Sequence, residues 1–381
     1  MASGSQSSLR EANTLRIYDA VRTFGAITQV ELAAATGLSP ATVSNIVKQL
    51  ERDGVIETSA TTRSGRRAQQ VRLAAGSQLT FGAHITPRAM ATWLGDVSHE
   101  VELARHLPLP EDHRFDTTLD RVALMVGEAA QEIGRSLDDV VAVGVALPAD
   151  VARTVTAGAL HGWEDVDVAD TLGRRLHRPI ILEQQADAAA IAEARFGSLR
   201  GVASAIYVRV GETTEASLLF NGEIHRGAGP AGAIGHVQID AAGAICRCGA
   251  RGCMNTFVSA DALAHLLRLS HGPMSLRQIV QAANRGDPGC RQVIGDTGAV
   301  IGPVLANSAL MLRPDRIVIG GEMATTGELL LGPIREALRA RPLLGPPEDI
   351  LVSAEITRNA EAMGVAALAQ DTTNPARREQ P

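Results

Sequence analysis

The most specific chemistry in this sequence is carried by one histidine and three cysteines. His236, Cys246, Cys248 and Cys253 follow an H-x9-C-x-C-x4-C pattern. One imidazole and three thiolates make a donor set suited to tetrahedral zinc, and four protein ligands leave no open position. The expected ion is therefore structural Zn2+ and not a catalytic one. Gly243, Gly249 and Gly252 let so short a loop fold tightly around an ion. Cys290 stands apart and reads as a core residue. Four cysteines, three of them clustered, suit a metal site in a reducing compartment better than a disulfide scaffold.

A second constellation lies near the amino terminus. Ile17, Ala20, Val21 and Phe24 repeat at helical spacing before Gly25. Thr28 and Glu31 have the spacing of a capping box, and Gly37 closes the short helix that follows. Ser39-Pro40 opens the next helix, serine as cap and proline at the first helical position. Val43, Ile46, Val47 and Leu50 then form one apolar stripe. Ser39, Thr42, Ser44, Asn45 and Lys48 line its front and opposite face, as in a helix-turn-helix whose second helix enters the major groove. Two strand-like runs, Val55-Ile56 and Val71 to Leu73, flank a loop holding Arg63, Arg66 and Arg67. An arginine-tipped hairpin is a wing able to reach phosphates or the minor groove.

Charge divides the chain in the same place. Its 36 basic and 42 acidic side chains give a net charge of -6, which alone argues against a nucleic-acid partner. Residues 1–76, however, carry nine basic and six acidic groups, leaving 27 against 36 for the rest. A basic module on an acidic body fits one domain that touches phosphates and another with a different task. One lysine stands against 35 arginines, a bias that points to a GC-rich bacterial genome. The 381 residues are enough for two or three domains, and 45% hydrophobic residues supply a sizeable core. No apolar run reaches the roughly 18 residues of a membrane span. The opening MASGSQSSLREAN has no apolar stretch of a secretory signal, so a cytoplasmic location is expected.

After residue 76 the pattern becomes α/β. Strand-like runs fall at 140–147, 179–183, 203–210, 316–321 and 350–356, and helical stretches at 117–134, 186–196, 259–269 and 329–340. Asn221-Gly222 marks a hairpin turn. No repeat of about 20–50 residues is evident. The polar segment 371–381 reads as a flexible tail.

GPAGAIGH followed by CRCGARGCMN resembles the signature of the ROK family, which joins sugar kinases and sugar-responsive repressors on an actin-like two-lobed fold. The likeness extends over about 78–370 through VGVALPADV, EQQADAAAIAEARFG and IVIGGEM. The resemblance implies a winged helix-turn-helix in 1–76, an actin-like sensor domain in 77–370, and a pocket hydroxyl on the second nitrogen of His236. It also makes the departures informative. Gln184 and Gln185 stand where the kinases carry an Asn-Asp pair with the general base, and an amide has no useful basicity. Ala233 and Asn255 replace two glutamates, and His84 replaces the aspartate of the first phosphate motif. The glycine-rich phosphate loop reads GETTEAS, with Glu212 and Glu215 where they would repel a polyphosphate.

The sequence is accordingly read as a DNA-binding transcriptional regulator of carbohydrate metabolism, a repressor by preference, with a catalytically dead kinase fold as sensor. Gln184, Gln185, His236 and Asn255 are its candidate effector contacts, for a neutral or anionic carbohydrate such as a sugar phosphate. A homodimer or homotetramer on operator DNA is expected, with no membrane partner. The alternatives are a regulator whose sensor takes a protein partner or no ligand, and an active sugar kinase with an accessory DNA-binding domain.

Overall fold

Local signals build the amino-terminal module. In the computed structural model, residues 3–63, 66–74, 78–96, 102–148, 160, 162–163, 166–228 and 231–373 are described. Helix α1 (Ser3–Phe24) leads through β1 (Ile27–Thr28) into α2 (Gln29–Thr36). The Thr28 side chain accepts from Glu31 N while the Glu31 carboxylate returns to Thr28 N, and Gly37 closes α2 at φ 69°. Ser39 caps α3 (Pro40–Arg52), which buries Val43, Ile46, Val47 and Leu50 against Ile17, Val21 and Leu32. The wing is longer than its apolar runs suggest. Strands β2 (Ile56–Arg63) and β3 (Arg66–Leu73) pair antiparallel out to Arg63 opposite Arg66, so the three arginines continue the ladder and do not sit in a loop. The domain boundary expected at 76 falls on residues 75–77, outside the described residues.

The body contains two five-stranded sheets. The first has the order β6-β5-β4-β7-β8, from β4 (Leu79–Ile85), β5 (Ala89–Asp96), β6 (Glu102–Pro108), β7 (Val140–Leu147) and β8 (Ile180–Gln184). The second, β11-β10-β9-β12-β13, comes from β9 (Ala205–Val210), β10 (Thr214–Phe220), β11 (Glu223–Ile224), β12 (Arg316–Gly320) and β13 (Leu351–Ser353). Each sheet is an antiparallel three-strand meander extended by two parallel strands, so the lobes share one topology. No residue-level repeat accompanies it. The Asn221-Gly222 turn joins β10 to β11 with both residues at positive φ.

Helices α4 (Phe115–Glu132) and α5 (Val168–Leu176) close the first sheet over Phe81, Leu119, Val143 and Trp163. The outer core of the second lobe is supplied by α7 (Asn255–Val258), α8 (Ala260–His271), α9 (Leu276–Asn284), α10 (Pro288–Leu312), α11 (Glu328–Arg339) and α12 (Pro347–Ile350). By length and composition α10 is apolar enough to cross a membrane, contrary to the sequence expectation. It buries Cys290, Val293, Ile294, Ile301 and Leu305 in that core, which accounts for its hydropathy.

Two helices lie between the sheets. α13 (Ala360–Thr373) packs on β4 and β7, and α6 (Gln185–Phe196) is sandwiched between α13 and the second sheet. The approach depends on glycine: a Cβ at Gly82 would lie 1.8 Å from the Ala362 carbonyl oxygen, and one at Gly364 would lie 1.7 Å from that of Ala188. α13 therefore reaches into the segment expected as a flexible tail from 371. α13 runs through Asp371, which is buried and paired with Arg195, and residues 374–381 lie outside the described residues.

Candidate functional site

On α3 the two ends of the proposed reading face differ. Ser39 Oγ caps Thr42 N and lies 2.8 Å from Thr42 Oγ1, so these hydroxyls also hold the helix start. Ser44 is half-buried, while Asn45 and Lys48 are exposed. The backbones of Arg63, Arg66 and Arg67 place them on the paired wing strands.

The cysteine-histidine loop is folded as a ligand cage. Cys246 N donates to the Ala250 carbonyl and Gly249 N to that of Cys246, turning the chain tightly from the first thiol around the second. Gly252 takes φ 68°, and a Cβ there would lie 1.5 Å from the Asp240 carbonyl oxygen. The four donor atoms of His236, Cys246, Cys248 and Cys253 all lie within 4.8 Å of one another. His236 Nδ1 is 3.6 Å from Cys246 Sγ, and Cys248 Sγ is 3.7 Å from Cys253 Sγ. Tetrahedral zinc with ordinary bond lengths requires N···S and S···S edges of about 3.6 and 3.8 Å. The donor set thus fits the ion by type and by spacing.

Beside this loop is a cleft of about 470 Å³, lined in part by Gln184, His236 and Asn255. Glu215, Arg247 and Asp261 also line it, so the cleft is charged although positions 185, 233 and 255 carry no carboxylate. Asn255 is already engaged, its Oδ1 accepting from Thr214 N at 2.8 Å and its Nδ2 facing the Thr214 carbonyl. Gln185 does not line the cleft.

Gln185 is instead a link in a buried polar seam between the lobes. It begins α6, with its amide between His84 of β4 and Glu215 of β10. His84 Nε2 is 2.8 Å from Gln185 Oε1, and Gln185 Nε2 donates to Glu215 Oε1 at 2.7 Å. The carboxylate can only accept, so the amide nitrogen faces Glu215, the amide oxygen faces His84, and His84 Nε2 carries a proton. Thr213 Oγ1 donates to the same carboxylate oxygen at 2.6 Å. On its other side His84 Nδ1 lies 3.7 Å from Glu361 of α13, which accepts from Arg209 Nε of β9 at 2.6 Å. Burial opposes ionisation of Glu361, yet His84 and Arg209 hold its carboxyl down to about 2. Burial also drives His84 below its ordinary value.

The rim of the seam is ionic. Arg88, in the turn after β4, reaches Glu212 of the second lobe at 3.2 Å, and also Glu111 and Asp261. Glu212 and Glu215, expected to repel phosphate, thus face a guanidinium and an amide of their own chain. Arg88, Arg209 and Glu361 were missed by sequence reasoning. The available signal was the appearance of new polar groups at several motif positions together.

Residues 84–372 match the ROK family, and residues 10–57 match a winged helix-turn-helix DNA-binding family. The chain is 27% identical to the DNA-binding transcriptional dual regulator NagC of Escherichia coli K12, over 96% of this chain and 94% of that one. Its fold superposes on the crystal structure of a ROK family transcriptional regulator, a homolog of E. coli MLC protein. That match has a TM-score of 0.73 and 22% identity, and covers 95% of this chain and 96% of that one. A ROK family glucokinase from Streptomyces griseus matches with a TM-score of 0.66 and 27% identity, over 77% of this chain and 99% of that one.

Proposed function

We propose that this chain, which belongs to the ROK family, is a DNA-binding transcriptional regulator of carbohydrate metabolism, acting as a repressor. The observation that carries the reading is α3, a capped helix with a buried apolar stripe and an exposed polar front, followed by a paired wing. In this reading Ser39, Thr42, Ser44, Asn45 and Lys48 face the major groove. Arg63, Arg66 and Arg67 reach the backbone or minor groove. A single such module supplies few contacts, so the protein binds an inverted repeat as a symmetric dimer or tetramer in the cytoplasm. The match to NagC over nearly the full chain supports this class of function.

The actin-like body serves as sensor. Gln184, His236 and Asn255 contact a carbohydrate or sugar phosphate in the cleft, and Gln185 acts from behind it through Glu215. Zn2+ held by His236, Cys246, Cys248 and Cys253 is structural: it supplies folding free energy to the loop that forms one cleft wall. Phosphoryl transfer is not part of the function, because Gln185 cannot accept a hydroxyl proton and is already bonded at both ends of its amide. A ligand regulates DNA binding only through unequal affinity for two states, about 1.4 kcal/mol for each tenfold change in operator affinity.

The test is a mobility-shift titration with a duplex selected from a random pool. The full chain shifts it and residues 77–381 do not, and one member of a panel of sugars and sugar phosphates alters the affinity. Equal binding by residues 77–381 would overturn the assignment of the module.

A further inference from the structure

The departures from the kinase pattern are not scattered losses. His84, Gln185 and Glu215 come from three motifs far apart in sequence, yet they form one hydrogen-bonded chain from the first sheet, through α6, to the second. Arg88 and Glu212 come from two of the same motifs and form an ion pair across the same gap. Each new group satisfies another. An amide at 185 needs a donor on one side and an acceptor on the other, which His84 and Glu215 supply. The guanidinium of Arg88 is the counter-charge of Glu212. Parting such a seam leaves further buried polar groups unsatisfied.

The seam is also connected to the DNA-reading module. α6 starts in the seam at Gln185 and packs along its length against α13 and the second sheet. α1 of the amino-terminal module packs against α6, and Phe24 at the end of α1 lies beside Gly201 in the turn beyond α6. A change of lobe angle that shifts α6 therefore moves the surface on which α1 rests.

We propose that His84, Gln185 and Glu215, with the Arg88–Glu212 ion pair, form an interlobe latch that sets the angle between the lobes and, through α6, the seat of the DNA-reading module. The latch itself is independent of the reading of the chain as a regulator. The relay to the module rests on that reading.

Amide exchange on the full-length protein tests the latch. Thr214 N, bonded to the Asn255 side chain, and Ala260 N, bonded to the Glu212 carbonyl, report the second-lobe side of the seam. In Arg88→Gln and in the near-isosteric Gln185→Met, both amides exchange at least about tenfold faster than in the parent. The amides of α3 are unchanged. If Gln185→Met does not fold, Arg88→Gln carries the test, since Arg88 is a partly exposed rim residue. Exchange at both amides within about twofold of the parent overturns the latch. For the relay, the same variants change affinity for a duplex selected by the parent by about fivefold or more. Faster exchange with unaltered DNA affinity overturns the relay and leaves the latch standing. A parent that selects no duplex overturns the regulator reading and the relay together, while the exchange result still decides the latch.

Discussion

His84 and Gln185, 101 residues apart in sequence, meet with Nε2 and Oε1 at 2.8 Å. Each differs from the residue that the kinase pattern carries, and each difference is made tolerable by the other. A carboxylate at 185 would stand beside Glu215, where two unit charges 4 Å apart repel by about 4 kcal/mol at an effective dielectric near 20. An amide there donates to Glu215 and accepts from His84.

That pairing bears on catalysis. ATP turnover with a panel of hexoses and hexosamines, followed in a coupled assay, is expected not to exceed the no-enzyme control. Gln185→Asp does not restore it, because His84, Glu212 and Glu215 remain. Sugar phosphate formation that depends on Gln185 would return the chain to the kinases.

Glu361 links the seam to acid stability. Its ordinary value is 4.5 and it is held down to about 2. A depressed carboxyl contributes stability that is complete above the unfolded value and is lost as pH falls from about 4.5 towards 2. Glu361→Ala leaves Arg209 buried without its ion-pair partner and costs about 3–5 kcal/mol at pH 7 in urea denaturation. The deficit shrinks as the parent is acidified.

Asp187 has the opposite sign. Burial, with Glu183 and Glu215 nearby, pushes its carboxyl from 3.8 up to about 7. A raised carboxyl favours the folded state below the unfolded value, and this contribution is lost as pH rises through 7. Asp187→Asn should therefore gain stability relative to the parent between pH 4 and pH 8, measured by thermal melts across that range. A difference that does not vary with pH would contradict the assignment.

Removing the metal loosens the cleft wall. Purified protein is expected to contain about one zinc per chain, and chelation or Cys248→Ser to lower the melting temperature, because metal binding contributes folding free energy. Metal analysis finding far less than one zinc per chain would refute the centre.

The wing and the reading helix separate by their salt response. Arg66→Ala with Arg67→Ala weakens binding to all duplexes and flattens the dependence on salt by about one unit of slope per lost phosphate contact. Asn45→Ala changes base preference by about 1–3 kcal/mol at one position. Competition titrations at several salt concentrations distinguish the two.

The sequence by itself determined the parts whose causes lie within a few residues. The Thr28–Glu31 box, the Ser39-Pro40 start, the stripe from Val43 to Leu50 and the Asn221-Gly222 turn each depend on near neighbours, and each has the expected form. The cysteine-histidine cluster was legible for the same reason, since one short loop supplies every ligand. The meander β4–β6 was not read as strands. β4 is buried along its whole length, so no alternation marked it, and its end was read as a motif. The tertiary structure alone decided that Gln185 bridges His84 and Glu215, that Glu361 sits against Arg209, and that Arg88 spans the lobes to Glu212. Hydrogen bonds and ion pairs between distant segments depend on which helix end faces which strand, and local periodicity does not encode that pairing.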